Sequence, residues 1–118
     1  MADLMAEPPI DLAHLDRYTG GDACLNAEVF RLFSRHCSEM LRLLGTLLVA
    51  PQRHVWRQAA HSLKGAALGI GAFELAEAAG AAEAADPESA PGRAAGLLRS
   101  LNERSAVVLD YIEAYLAG

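Results

Sequence analysis

Ala59-Ala60-His61-Ser62-Leu63-Lys64-Gly65-Ala66-Ala67-Leu68-Gly69-Ile70-Gly71 carries two patterns at once. Read with its upstream neighbours at 3.6 residues per turn, Val55, Trp56, Ala59, Ala60, Leu63, Ala66, Ala67 and Ile70 fall on one apolar stripe. His61 falls on the other, with Arg57, Gln58, Lys64 and Gly65 around it and His54 and Leu68 one turn further along. The spacing predicts an amphipathic helix over 52–68, with Trp56 its largest core anchor. It needs a core on one side and leaves the histidine to solvent on the other.

An imidazole near neutral pH offers a nitrogen lone pair, so an outward His61 is an available nucleophile. If the ring takes up a phosphoryl group, Lys64 one turn away meets the new negative charge with charge-assisted hydrogen bonds. Gly65 costs roughly 0.5–1 kcal/mol of helix stability relative to alanine, so its place mid-helix points to something coming close to the backbone there. A docking partner fits that requirement.

At these residues the chain resembles the histidine-containing phosphotransfer (HPt) domains of multistep phosphorelays. The resemblance rests on an H-x-L-K-G core at His61, Leu63, Lys64 and Gly65, the small residues Ala66 and Ala67, a glycine at Gly71 and a leucine at Leu75. It extends upstream through Ile10-Asp11-Leu12, Leu15, Gly20-Gly21-Asp22 and the apolar helix carrying Phe33, and weakens after Ala84.

The rest of the chain reads as scaffold. Residues 1–9 are expected to be a flexible tail, with Pro8-Pro9 holding it extended, and 10–118 a single domain. Asp11 is a natural N-cap for a short helix through Tyr18 with Leu12 and Leu15 inward, and Gly20-Gly21 ends it. Asp22 caps a second helix over 23–49, whose stripe is Leu25, Val29, Phe33, Cys37, Met40, Leu44 and Leu47; Pro51 breaks it. After the His61 helix, Gly69-Ile70-Gly71 reads as a tight reversal, and helix resumes over 72–85 with Leu75, Ala79 and Ala82 inward. Asp86-Pro87 through Pro91-Gly92 reads as a loop, followed by a last helix over 93–116 with Ala94, Leu97, Leu101, Val108, Ile112 and Tyr115 on its inner face. Long amphipathic helices joined by short loops predict an all-α fold, an antiparallel up-down-up-down four-helix bundle with a short extra N-terminal helix over one end.

Composition narrows the function. With 118 residues there is room for one core, and 53% hydrophobic content with only 6% aromatic favours close-packed helices. A net charge of −5 argues against nucleic-acid binding, which needs a basic face. The acidic, proline-containing start lacks the basic and apolar segments of a secretory signal, and no apolar run approaches a membrane span, so the expected location is cytoplasmic. Cys24 and Cys37 stand thirteen residues apart on one helix, about 20 Å, too far to bridge. His54 and His61 are seven residues apart, whereas a shared metal requires an i, i+4 pair, so no metal site is expected; His14 and His36 call for no role. No hydrolytic triad and no Walker-type phosphate loop is evident.

The resemblance implies a phosphoryl carrier without kinase activity of its own. His61 would accept the group, on Nε2 as in the family, from a receiver-domain aspartate and pass it to another receiver. Lys64 would stabilise the phosphorylated ring, Gly65 would admit the receiver, and Gln58 is a candidate hydrogen-bond donor to a phosphoryl oxygen. Leu68 and Phe73 are candidates for an apolar docking patch, and Arg57 and Arg53 for steering an acidic surface. Implied partners are response-regulator receiver domains and a hybrid sensor histidine kinase, with Mg²⁺ on the receiver, no cofactor here, and a monomeric carrier. The competing reading is a helical adaptor that binds a receiver or kinase without carrying phosphate.

Overall fold

The computed structural model describes residues 7–118, so the first six positions of the expected tail lie outside the described residues. Five helices follow in order: α1 (Leu12–Thr19), α2 (Ala23–Val49), α3 (Arg53–Ile70), α4 (Phe73–Glu83) and α5 (Pro91–Ala117), with no strand among the described residues.

The helix starts follow from local chemistry. Asp11 and Asp22 sit in extended backbone and accept hydrogen bonds from the amides of His14 and Leu25, satisfying donors that the first turn leaves free. Pro91 occupies the first turn of α5, where its missing N–H costs nothing, so that helix begins two residues before the expected start. At the other boundary, Gly69 and Ile70 stay helical and the reversal is confined to Gly71, whose φ of +83° caps α3 and lets α4 begin at Phe73.

Helices α2 to α5 form the four-membered bundle, each packed on its sequence neighbours and α5 closing back on α2. The pairings run antiparallel: His61 of α3 reaches Glu83 of α4, and one turn further along α3 Lys64 lies against Gly80, one turn earlier on α4. α1 lies across α2 and α3 at one end. It is tied there by the Asp11 amide donating to the Gly71 carbonyl at 2.9 Å and by Asn26 Nδ2 donating to Asp16 at 3.0 Å.

The core runs from Ile10 and Leu15 through Phe30, Phe33, Leu44, Trp56, Leu63, Leu75 and Leu101 to Ile112. Trp56 is fully buried and its indole Nε1 donates to the Ala82 carbonyl at 2.7 Å, so the largest side chain of the core also pins α3 to α4. The alanines of α3 and α4 (Ala59, Ala60, Ala67, Ala76, Ala79, Ala82) are buried, which lets the two helices approach closely.

The expected stripe of α2 is rotated over its first turns only, and that of α5 departs at a few positions. On α2, Leu25 is exposed while Asn26 and Phe30 are buried, because the N-terminal turns of this helix meet α1 through Asn26–Asp16 and α5 through an edge-on Phe30–Tyr115 contact. On α5, Ala94, Leu101, Val108 and Ile112 are buried as expected, Leu98 and Ser105 join them, and Leu97 and Tyr115 are half-buried. Burial pushes the Cys37 thiol up from its ordinary pKa, against a smaller opposite pull from the neighbouring Ser105 hydroxyl; Cys37 is buried and Cys24 exposed, both as free thiols.

Candidate functional site

α3 holds His61 at mid-length, eight residues from its first and nine from its last residue. The apolar stripe is fully buried at Trp56, Ala59, Ala60, Leu63, Ala67 and Ile70. The helix therefore has no rotational freedom, and the opposite face is fixed toward solvent. The His61 side chain is 70% exposed.

Its Nδ1 lies 3.0 Å from Glu83 Oε2, a carboxylate that is 24% exposed at the end of α4. A carboxylate only accepts, so Nδ1 carries the hydrogen and the lone pair of the neutral ring sits on Nε2. Glu83 is a site residue that periodicity along α3 does not reveal, since it lies 22 positions away in sequence and reaches His61 only through the α3–α4 hairpin.

Lys64 is half-buried, with its stem lying across Gly80: a Cβ built on Gly80 would stand 3.7 Å from Lys64 Cδ and Cε and 3.8 Å from Nζ. The lysine thus leans to the α4 side, where Glu83 also stands, with its apolar stem sheltered. Gly65 is exposed, and a Cβ added there meets no atom within 4 Å, so nothing inside this chain demands a glycine at that position. Arg57 and Gln58 are exposed on the same face.

The remaining candidates are dispersed. Arg53 stands eight residues before His61, about 12 Å along the helix, and its guanidinium lies 3.4 Å from Asp86 while its amide donates to Glu88. It anchors the α4–α5 loop to the start of α3. The backbone amide of Glu88, with Ser89 and the Arg53 cation, holds the Asp86 carboxyl below its ordinary pKa. Leu68 and Phe73 are 42% and 44% exposed, and Phe73 packs edge-on against His14 at 5.2 Å, beside α1.

The larger apolar surface near His61 is a groove of about 510 Å³ on the α2 side of α3 that neither of those two residues lines. Leu15, Leu25, Leu32, Phe33 and Ile70 wall it, and the small residues Ala66 and Gly69 belong to it as well. Gly65, between His61 and Gly69 on the exposed face, continues this low surface up to the imidazole. Reading Leu25 as core hid the groove in the sequence.

Fold and site together define a class: a four-helix bundle with one solvent-facing histidine at the middle of a wall, a lysine a turn away, and an apolar groove alongside. The model of the Hpt domain family matches residues 28–116, and the chain belongs to that family, whose members carry phosphoryl groups in phosphorelays. Neither the curated proteins nor the solved structures gave a match. Among the described residues, no helix is long and apolar enough to cross a membrane and no cluster of three or more His, Cys, Asp or Glu side chains is arranged to hold a metal.

Proposed function

We propose that this protein is a histidine phosphotransfer carrier that takes a phosphoryl group onto Nε2 of His61 from a receiver-domain aspartate and hands it to a second receiver. The observation that carries the reading is the His61–Glu83 contact, which leaves Nε2 as the nucleophilic nitrogen on a ring open to solvent. In the forward step the Nε2 lone pair attacks phosphorus in line and the bond to the aspartyl oxygen breaks. The aspartate leaves with the electron pair, and the proton on Nδ1 stays where it is, facing Glu83. The return step runs the same way in reverse, so no proton has to enter or leave. The positive charge that phosphorylation places on the ring is balanced by the Glu83 carboxylate, and Lys64 meets the phosphoryl oxygens.

Phosphoryl transfer depends on positioning and charge neutralisation, and in this scheme Mg²⁺ and its carboxylate ligands belong to the receiver. Helix α3 suits such a partner: it carries Arg53, Arg57 and Lys64 and no carboxylate, in a chain of net charge −5. The receiver would dock over Gly65 and the apolar groove.

The test is transfer from a panel of receiver domains loaded with phosphate by acetyl phosphate and Mg²⁺. An acid-labile, base-stable label on the wild type and none on His61→Gln supports the carrier. Equal labelling of His61→Gln sinks the assignment, and tight receiver binding with no label on either protein points to the adaptor.

A further inference from the structure

The groove beside His61 has one imidazole in its wall. His36 of α2 lines it, half-buried, with Nε2 2.9 Å from the Ser62 hydroxyl of α3 and Nδ1 without a partner among the described residues. Ser62 follows His61 in the chain and is turned 100° from it toward α2, so the Ser62–His36 pair stands between the phosphoacceptor face and the apolar groove.

We propose that His36 is a specificity-determining residue of the docking face, selecting receiver domains that set a hydrogen-bonding group into an otherwise apolar contact. The inference rests on the carrier reading above and deepens it. A hydroxyl both donates and accepts, so Ser62 satisfies Nε2 in either ring tautomer, but it serves only that one nitrogen. While the groove is open, water serves Nδ1. Once a partner covers the groove, Nδ1 is either paired by that partner or buried unpaired. An unpaired buried polar group shifts an affinity by about five- to a hundredfold. The leucines and phenylalanine around it take any apolar surface of the right shape. The imidazole does not, and discrimination of this kind is what a hydrogen-bonding group in an apolar site supplies best.

Either tautomer leaves the same demand. With Ser62 donating to Nε2, the ring presents an Nδ1 hydrogen, which an oxygen meets; with Ser62 accepting, it presents an Nδ1 lone pair, which an N–H or O–H meets. A carbon surface meets neither.

The experiment compares single-turnover transfer from the same acetyl-phosphate-loaded receiver panel to the wild type, His36→Leu and His36→Gln, and reads the ratio of the fastest receiver to the slower ones. A ratio between receivers is insensitive to partial loss of folded protein, so a merely structural role for His36 would leave it unmoved. The expected result is that His36→Leu compresses the ratio about tenfold, as the fastest receiver slows and those offering only carbon speed up. His36→Gln, which keeps a polar group in the groove, holds the ratio within about threefold. If His36→Leu slows every receiver by one factor, or changes none, the inference is wrong while the carrier stands. A wild type labelled by no receiver overturns both.

Discussion

Replacing Gly65 by alanine separates what the fold needs from what a partner needs. The residue lies in the middle of α3, exposed, and an added Cβ meets no atom of the chain within 4 Å. Alanine there removes no contact and strains no backbone, and by helix propensity it stabilises the isolated domain by about 0.5–1 kcal/mol. For a domain of 118 residues that raises Tm by about 2–5 °C. The same methyl group stands one turn beyond His61, on the low surface that leads to the groove. A receiver fitted to bare backbone would then be overpacked, at about 1–3 kcal/mol, slowing transfer about five- to a hundredfold. The assay pairs a thermal melt of the domain alone with single-turnover transfer from an acetyl-phosphate-loaded receiver. A lowered Tm would show that the fold uses this glycine after all. A rate constant within about twofold of wild type would refute the close approach.

Gly71 is the opposite case. Its φ of +83° disfavours alanine by about 1–2 kcal/mol, and a Cβ there would stand 2.6 Å from the Asp11 carbonyl oxygen, a backbone atom with little room to yield. Gly71→Ala should destabilise the domain by about 2–5 kcal/mol in urea denaturation, and loss of amide protection confined to α1 would show that the strain is relieved by undocking that helix. For Glu83, the pair with His61 is partly exposed and screened, so Glu83→Ala should slow transfer by only about two- to fivefold. Glu83→Gln, which keeps an acceptor for the Nδ1 hydrogen without the charge, should fall between wild type and Glu83→Ala; nitrogen chemical shifts of the His61 ring report whether the Nδ1–H tautomer survives. Asp86, whose carboxyl is held below its ordinary value of 3.8, contributes stability that is fully present above that value and lost as pH falls through its lowered one. Asp86→Asn should therefore be less stable than wild type at pH 7, with the difference shrinking in melts carried to acid below about pH 4.

Much of the architecture is written locally. Asp11 and Asp22 are caps whether or not a bundle forms around them, and the stripe through Trp56, Leu63 and Ile70 needs only the helical repeat to be read. Periodicity misplaces residues where a helix changes neighbours. The first turns of α2 meet α1 and α5, so Asn26 and Phe30 turn inward and Leu25 turns out, though a continuous stripe predicts the reverse. Pro91 reads as loop in the sequence because proline ends helices more visibly than it starts them.

For the site, the chain's own order determined a histidine, a lysine a turn on and a glycine beside it, all on the face opposite the buried stripe, because residues three and four apart on one helix are neighbours in any fold. The tertiary structure alone decided which ring nitrogen is free, which side Lys64 leans to, and where the apolar groove and His36 stand relative to His61. Glu83, Gly80 and Ser62–His36 meet across helix pairs, and contacts of that kind depend on the register and rotation of one helix against another, which close packing of small residues sets and periodicity within a single helix does not contain.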